Sequence, residues 1–134
     1  DAVIDPTEED VLERMVSLTD GLGPHVVFEC AAAKPTLDQA LSMTRLGGEV
    51  MLVALAWEHV PVLPVDWVAR QVKLQASAGV TYVDWRIALN LIRTGKIRTE
   101  PLVSEDDLVP LDDIQRAFES LATPTTQLQM VVKP

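Results

Sequence analysis

Apolar and polar positions along this chain fall into blocks that switch between a strand-like and a helix-like period. Residues 2–5 form a short apolar run that reads as a strand, and Thr7 reads as the cap of a helix whose stripe is Val11, Leu12, Met15, Val16 and Leu18. Asp20-Gly21 stops that helix. Residues 25–30 (His-Val-Val-Phe-Glu-Cys) are almost continuously apolar, the pattern of a parallel strand covered on both faces. Thr36 with Gln39 three residues later predicts a capping box, with Leu37, Ala40 and Leu41 on the helix's inner face and Leu46-Gly47-Gly48 ending it. Residues 50–55 predict a third strand. Strand, helix, strand, helix, strand in units of roughly 20 to 25 residues implies right-handed parallel crossovers. The first half therefore reads as part of a doubly wound α/β sheet.

Pro61 and Pro64 interrupt this rhythm before a short helix at 65–70 and a fourth strand at 72–77. Trp85, Ala88, Leu89 and Ile92 then keep helical spacing up to Gly95. Residues 100–107 look irregular. Ile114, Ala117, Phe118 and Leu121 predict a last helix, capped near Asp112 or Asp113, and residues 128–132 a last strand.

Ligands of doubly wound sheets bind beyond the carboxyl ends of the strands. That rule selects residues 30–33, 53–57 and 77–81, where side chains are small and apolar. Such stretches let a flat ligand lie against backbone; equally, they serve as tight turns. No Gly-x-Gly-x-x-Gly turn is present to cradle a phosphate, and Gly21-x-Gly23 precedes a strand instead of opening a helix. His25 sits at the wrong end of its strand. His59, after the third strand, reads as an ordinary loop residue that could approach a ligand. Glu29, inside a strand, needs a structural partner if buried. Trp57, Trp67 and Trp85 read as packing residues.

Composition narrows the class. The 134 residues suffice for one core, and 48% hydrophobic with 23% charged residues fits a globular chain. No apolar run approaches the roughly 20 residues that span a bilayer. A net charge of −9 argues against nucleic acid and anionic membranes as partners. The acidic clusters at 8–10, 105–107 and 112–113 read as solvated helix starts, not metal sites. Cys30 is the only cysteine, so no disulfide or multi-thiolate zinc site forms within the chain, which suits the cytoplasm.

The ordered set DAVIDPTEED, LTDGLGPHVVFECA, TLDQALSMTRLGGEVMLVAL, VKLQASAGVTYVDW, LIRTGKI, EPLVSEDDLVPLDDIQRAFESL and QMVVKP resembles the C-terminal part of the zinc-containing medium-chain alcohol dehydrogenases. The nearest branch is that of the polyol, threonine and butanediol dehydrogenases. The resemblance implies an incomplete Rossmann-type doubly wound parallel sheet over 1–78, lacking its first strands. Residues 79–134 would return to the catalytic domain as a helical and strand segment. It places the strand at 2–5 third in the parent sheet, with the glycine turn, the ribose-binding acid and every zinc ligand upstream of Asp1. The strands between that one and the strand at 25–30 would be missing, so either the first strand moves over the exposed edge or chains associate through it.

By the same resemblance, Cys30, Ala31 and Ala33 occupy a ribose-contacting position, Val53 and Leu55 lie beside the nicotinamide, and Ser77 and Ala78 contact its carboxamide. Ala32 stands where the family usually has glycine, and Gln129 near where many members carry a base toward the pyrophosphate. The implied activity is hydride transfer between an alcohol or polyol and NAD or NADP, with zinc acting as Lewis acid in a homo-oligomeric parent. No catalytic residue and no metal ligand falls on this chain, which is expected to be inactive alone. The alternatives are a zinc-independent quinone-reductase-like relative, a non-catalytic α/β interaction module and a class I methyltransferase. The last fits poorly, because that fold ends in an antiparallel pair.

Overall fold

The structure, a computed structural model, describes residues 2–123 and 127–134. The chain divides into two units, Asp1–Gly79 and Val80–Pro134.

The first unit runs α1 (Val11–Leu18), β1 (Val26–Glu29), α2 (Thr36–Met43), β2 (Glu49–Leu52), α3 (Pro64–Ala69) and β3 (Lys73–Ala76). The strands form one parallel sheet in the order β1-β2-β3, with Val27, Val50 and Leu74 level with one another. Side chains alternate across a sheet, so these three share the face toward the helices, and Phe28, Met51 and Gln75 share the other. The core lies on the helix side: Ala40 and Leu41 of α2 pack with Val50 and Val72, flanked by Val27, Leu37, Val62 and Trp67. Trp67 packs here as expected, with its indole N–H buried and unpartnered.

Several expectations fail for one reason: they read a non-local arrangement as a local one. Residues 2–5 are not a strand; no other strand lies beside them, and Val3 is 95% exposed. Asp5 instead closes a turn, its Oδ1 accepting from the Thr7 amide at 2.8 Å and the Thr7 hydroxyl at 2.7 Å. With Thr7 engaged there, α1 is capped by Asp10, whose Oδ1 accepts from the Glu13 amide at 2.9 Å. Among the described residues, no strand pairs with the outer side of β1. Nor is β1 covered on both faces. Val26 and Phe28 are 44% and 66% exposed, while Glu29 is buried. The predicted strands at 25–30, 50–55 and 72–77 shorten to four residues each. The capping box at Thr36 is absent: the helix starts at Thr36 itself, after Pro35 in a helical conformation.

The second unit holds α4 (Tyr82–Arg93), β4 (Leu108–Pro110), α5 (Ile114–Leu121) and β5 (Val131–Lys133), with short 3₁₀ turns at Glu105–Asp107 and Leu111–Asp113. Thr81 and Asp84 close a reciprocal capping box on α4. The stripe Trp85, Leu89 and Ile92 is exposed, as are Phe118 and Leu121 of α5; Ala117 is the buried residue of α5. Asp113 sits at the helix start without a side-chain cap bond. β4, which follows the stretch 100–107 expected to be irregular, pairs in parallel with β5, which is shorter than the predicted strand. Asp107 ties this unit's turn together: Ser104 donates to its Oδ2 from backbone (2.6 Å) and hydroxyl (2.8 Å), and the Gln127 amide to its Oδ1 at 3.1 Å.

Candidate functional site

Glu29, Leu52 and Ala76 stand level at the carboxyl ends of β1, β2 and β3. The residues that follow, Cys30, Val53 and Ser77, therefore leave the sheet side by side, on strands about 4.8 Å apart. Ser77 extends the ladder, its amide donating to Leu52 O at 2.9 Å, and the Val53 and Ala54 amides both donate to Glu29 O. Cys30, Ala31, Ala33, Val53, Leu55, Ser77 and Ala78 are all exposed along this rim or in the loops leaving it. Thr81, also within the selected stretch, serves as the α4 cap. Trp57, which was expected to pack, projects into solvent at 92% exposure in the loop after β2, and Trp85 is likewise unpacked. His59 is exposed in that loop, and Gln129 is exposed near β5. His25 is at the opposite end of the sheet, 3.4 Å from Arg45.

The residue that organises the rim is Glu29. Its Oε1 accepts from the Ala31 and Ala32 amides at 3.0 Å each and from the Thr36 hydroxyl at 2.7 Å, so one carboxylate oxygen joins β1, the turn and the first turn of α2. Its Oε2 is buried without a partner. The expected structural partner thus exists, and it is Thr36, taken from its predicted capping role by a residue seven positions upstream. Burial opposes the charge of Glu29. The hydrogen bonds from Thr36, Ala31 and Ala32 outweigh it and hold the carboxyl below the ordinary glutamate value. A small cavity of about 190 Å³ opens beside this cluster, lined by Glu29, Cys30, Ala31, Thr36 and Gln39 among others. Small-molecule sites hold roughly 300–1,000 Å³, so this cavity is smaller than a complete one. A larger depression of about 430 Å³ follows one face of α4 and contains none of these residues.

Ala32 adopts φ +52°, in the left-handed region that favours glycine. A glycine at this position would adopt the same conformation without a steric cost. An alanine there costs about 1–2 kcal/mol against glycine, partly offset by glycine's greater freedom when unfolded. Ala32→Gly is therefore expected to stabilise the chain by about 0.5–1 kcal/mol, read as a higher urea midpoint with unchanged slope. A lower midpoint would contradict the assigned backbone conformation.

The lowered Glu29 value also sets an acid response. A carboxylate depressed in the folded state contributes stability at pH above its unfolded value, and the contribution disappears as pH falls through the folded value. Urea midpoints are expected to fall below about pH 4.3, and less steeply in Glu29→Gln. A residual slope belongs to Asp5 and Asp84, lowered by Thr7 and Thr81, and to Asp107, lowered by the Ser104 amide. Parallel acid curves for Glu29→Gln and wild type would remove Glu29 from this account.

Among the described residues, no group of three or more His, Cys, Asp or Glu side chains is placed to hold a metal. No helix among them is long and apolar enough to cross a membrane. The chain is 29% identical over 123 residues to the (R,R)-butanediol dehydrogenase of Neisseria gonorrhoeae, covering 90% of this chain and 34% of that protein. Its structure matches the 2R,3R-butanediol dehydrogenase of Bacillus subtilis with a TM-score of 0.86 at 26% identity, over 98% of this chain and 37% of that one. A zinc-binding-dehydrogenase-type protein of Sinorhizobium meliloti 1021, crystallised with NADP, matches with a TM-score of 0.83 at 28% identity, over 98% and 38%. The chain spans about a third of the length of the curated relatives it matches. The family model described as zinc-binding dehydrogenase matches residues 1–94, and with a Rossmann-type parallel sheet beneath that match, the chain belongs to the zinc-binding dehydrogenase family.

Proposed function

We propose that this chain forms the nicotinamide-side rim of a dinucleotide-binding sheet. In a protein of the family's full length, it would serve hydride transfer between an alcohol or polyol and NAD or NADP. The carrying observation is the alignment of Cys30, Val53 and Ser77 at one sheet end, where exposed small side chains let a flat cofactor reach backbone groups. Cys30, Ala31 and Ala33 contact a ribose, Val53 and Leu55 flank the nicotinamide, and Ser77 and Ala78 meet its carboxamide. The cofactor supplies the hydride acceptor; these residues orient it and exclude water from one face. Residues 1–78 serve the cofactor, and residues 79–134 belong to the catalytic domain of the full-length protein. Zinc is held by residues outside this chain. NADP in the Sinorhizobium meliloti structure and the butanediol dehydrogenases among the relatives support this reading. Family membership speaks against a methyltransferase, and nothing favours the quinone-reductase-like or non-catalytic alternatives.

The full-length protein acts as a homo-oligomer on a small-molecule alcohol, in the cytoplasm, where the lone exposed Cys30 stays reduced. On its own, the chain is catalytically inactive and binds cofactor with a Kd on the order of millimolar, because a preorganised phosphate cradle contributes much of the affinity for dinucleotides. Pure 134-residue chain mixed with NAD or NADP and a polyol panel is expected to give no rise in reduced-cofactor absorbance. An alcohol-dependent rise would overturn the inactivity, and amide NMR shifts on adding cofactor that fall only outside residues 30–33, 53–55 and 77–78 would overturn the site.

A further inference from the structure

We propose that ionised Glu29 is a positioning residue, a latch that holds the turn of residues 30–33 in a conformation its own sequence disfavours. The geometry carries this. Three donors converge on Oε1: two are consecutive amides of the turn, and the third is the first hydroxyl of α2. The second of those amides belongs to Ala32, the turn's one left-handed non-glycine residue. Glycine would adopt that conformation unaided; alanine needs an external tie, and Glu29 provides it from the end of the adjacent strand. Oε2 has no partner, so the side chain has no competing attachment. Burial of the carboxylate adds to the effect, because hydrogen bonds to a charged acceptor strengthen where water is excluded.

The titratable and charged groups on neighbouring elements are Cys30 on the turn, Lys34 just after it, Asp38 on α2, Glu49 at the far end of β2 and Glu58 in the loop after β2. Lys34 and Glu58 pair with each other at 3.5 Å, and none of the five hydrogen-bonds to Glu29. The latch stands independently of the cofactor reading. That reading says only what the turn is held for: presenting its backbone to a ribose.

Amide NMR on the whole chain tests it. In wild type, the Ala31 and Ala32 amide protons should shift on acidification with the same midpoint as the Glu29 carboxyl carbon; separate midpoints would overturn the latch, whatever any variant does. In Glu29→Gln, hydrogen exchange at those two amides should accelerate at least tenfold relative to the β2 amides. Ala32→Gly in that background should raise the urea midpoint by more than it does in wild type, since glycine removes the strain that the tie opposes. Unchanged exchange in Glu29→Gln, or no greater gain from glycine there than in wild type, would reduce Glu29 to a general stabilising residue. Millimolar NADP then reads the other proposal separately: shifts along residues 30–33, Val53 and Ser77 support the cofactor rim. Their absence removes that reading and leaves the latch to the exchange data.

Discussion

Gly23→Ala is expected to cost about 3 kcal/mol, a large share of the roughly 4–12 kcal/mol that a unit of this size has to lose. Two effects add. Gly23 sits at φ +80°, where a side chain costs about 1–2 kcal/mol. Its site is also closed: an added Cβ would lie 2.3 Å from the Met43 carbonyl oxygen and 3.2 Å from the Arg45 amide. Both are backbone atoms, so relief requires moving the end of α2 against β1, and overpacking of that kind costs about 1–3 kcal/mol. The segment is pinned from both sides as well. The Gly23 amide donates to the Thr19 hydroxyl at 2.9 Å, and Arg45 Nε donates to the Gly23 carbonyl at 3.0 Å. Gly21→Ala is the internal control. It has nearly the same backbone conformation, φ +82°, with nothing within 4 Å of the added carbon, so it isolates the conformational cost. Urea unfolding of the two variants should show Gly23→Ala as the more damaging by about 2 kcal/mol. Equal midpoints would mean that the close approach to α2 is not present in solution.

The Gly21-x-Gly23 pair also shows what could be read in advance. Its position before a strand, and not at a helix start, set it apart from a phosphate cradle. Its actual task, letting a loop pass close to the end of α2, depends on residues twenty positions away that no local spacing announces. The α2 stripe of Leu37, Ala40 and Leu41 was legible because helical period and burial coincide on one element. The three parallel strands were legible as short apolar runs, though not their ends, which are set where Glu29 O takes two amides from the chain after β2.

What was not legible is relational. A strand exists only beside a partner, so residues 2–5 read as one and are not, while Leu108–Pro110 becomes one by meeting Val131–Lys133. Thr36 looked like a helix cap, but its hydroxyl turns back to Glu29 Oε1 and Ala33 O, which share its one proton. The rim itself was found by a topological rule. Its organising feature, a left-handed Ala32 tied to a carboxylate, left one trace in the sequence: a glutamate where a strand should be apolar.

Arg70→Ala is expected to destabilise the first unit by about 2–4 kcal/mol without disturbing the rim, because it acts at the opposite end of the sheet. The last carbonyls of a helix have no partners within it, and α2 ends at Met43 with Thr44 already extended. Arg70, at the end of α3, closes this gap. Its Nη2 donates to Leu41 O at 2.6 Å, and its Nη1 to Thr44 O at 2.5 Å and to Ser42 O at 3.0 Å. Thr44 meets one more, its hydroxyl donating to Ala40 O at 2.7 Å. The bonds to Leu41 and Thr44 are partly buried and account for most of the effect; the exposed one to Ser42 is replaceable by water. A positive charge at a helix C-terminus adds about 0.3–1 kcal/mol. Arg70→Lys separates the contributions, since an ammonium keeps the charge but cannot span three carbonyls with a planar fork. Lysine should therefore recover less than half of the alanine loss, and 1 M salt should narrow the gap between lysine and alanine while leaving most of the gap between arginine and lysine. Full recovery by lysine, abolished by salt, would mean that Arg70 acts on α2 through its charge alone and that the three-carbonyl cap contributes nothing.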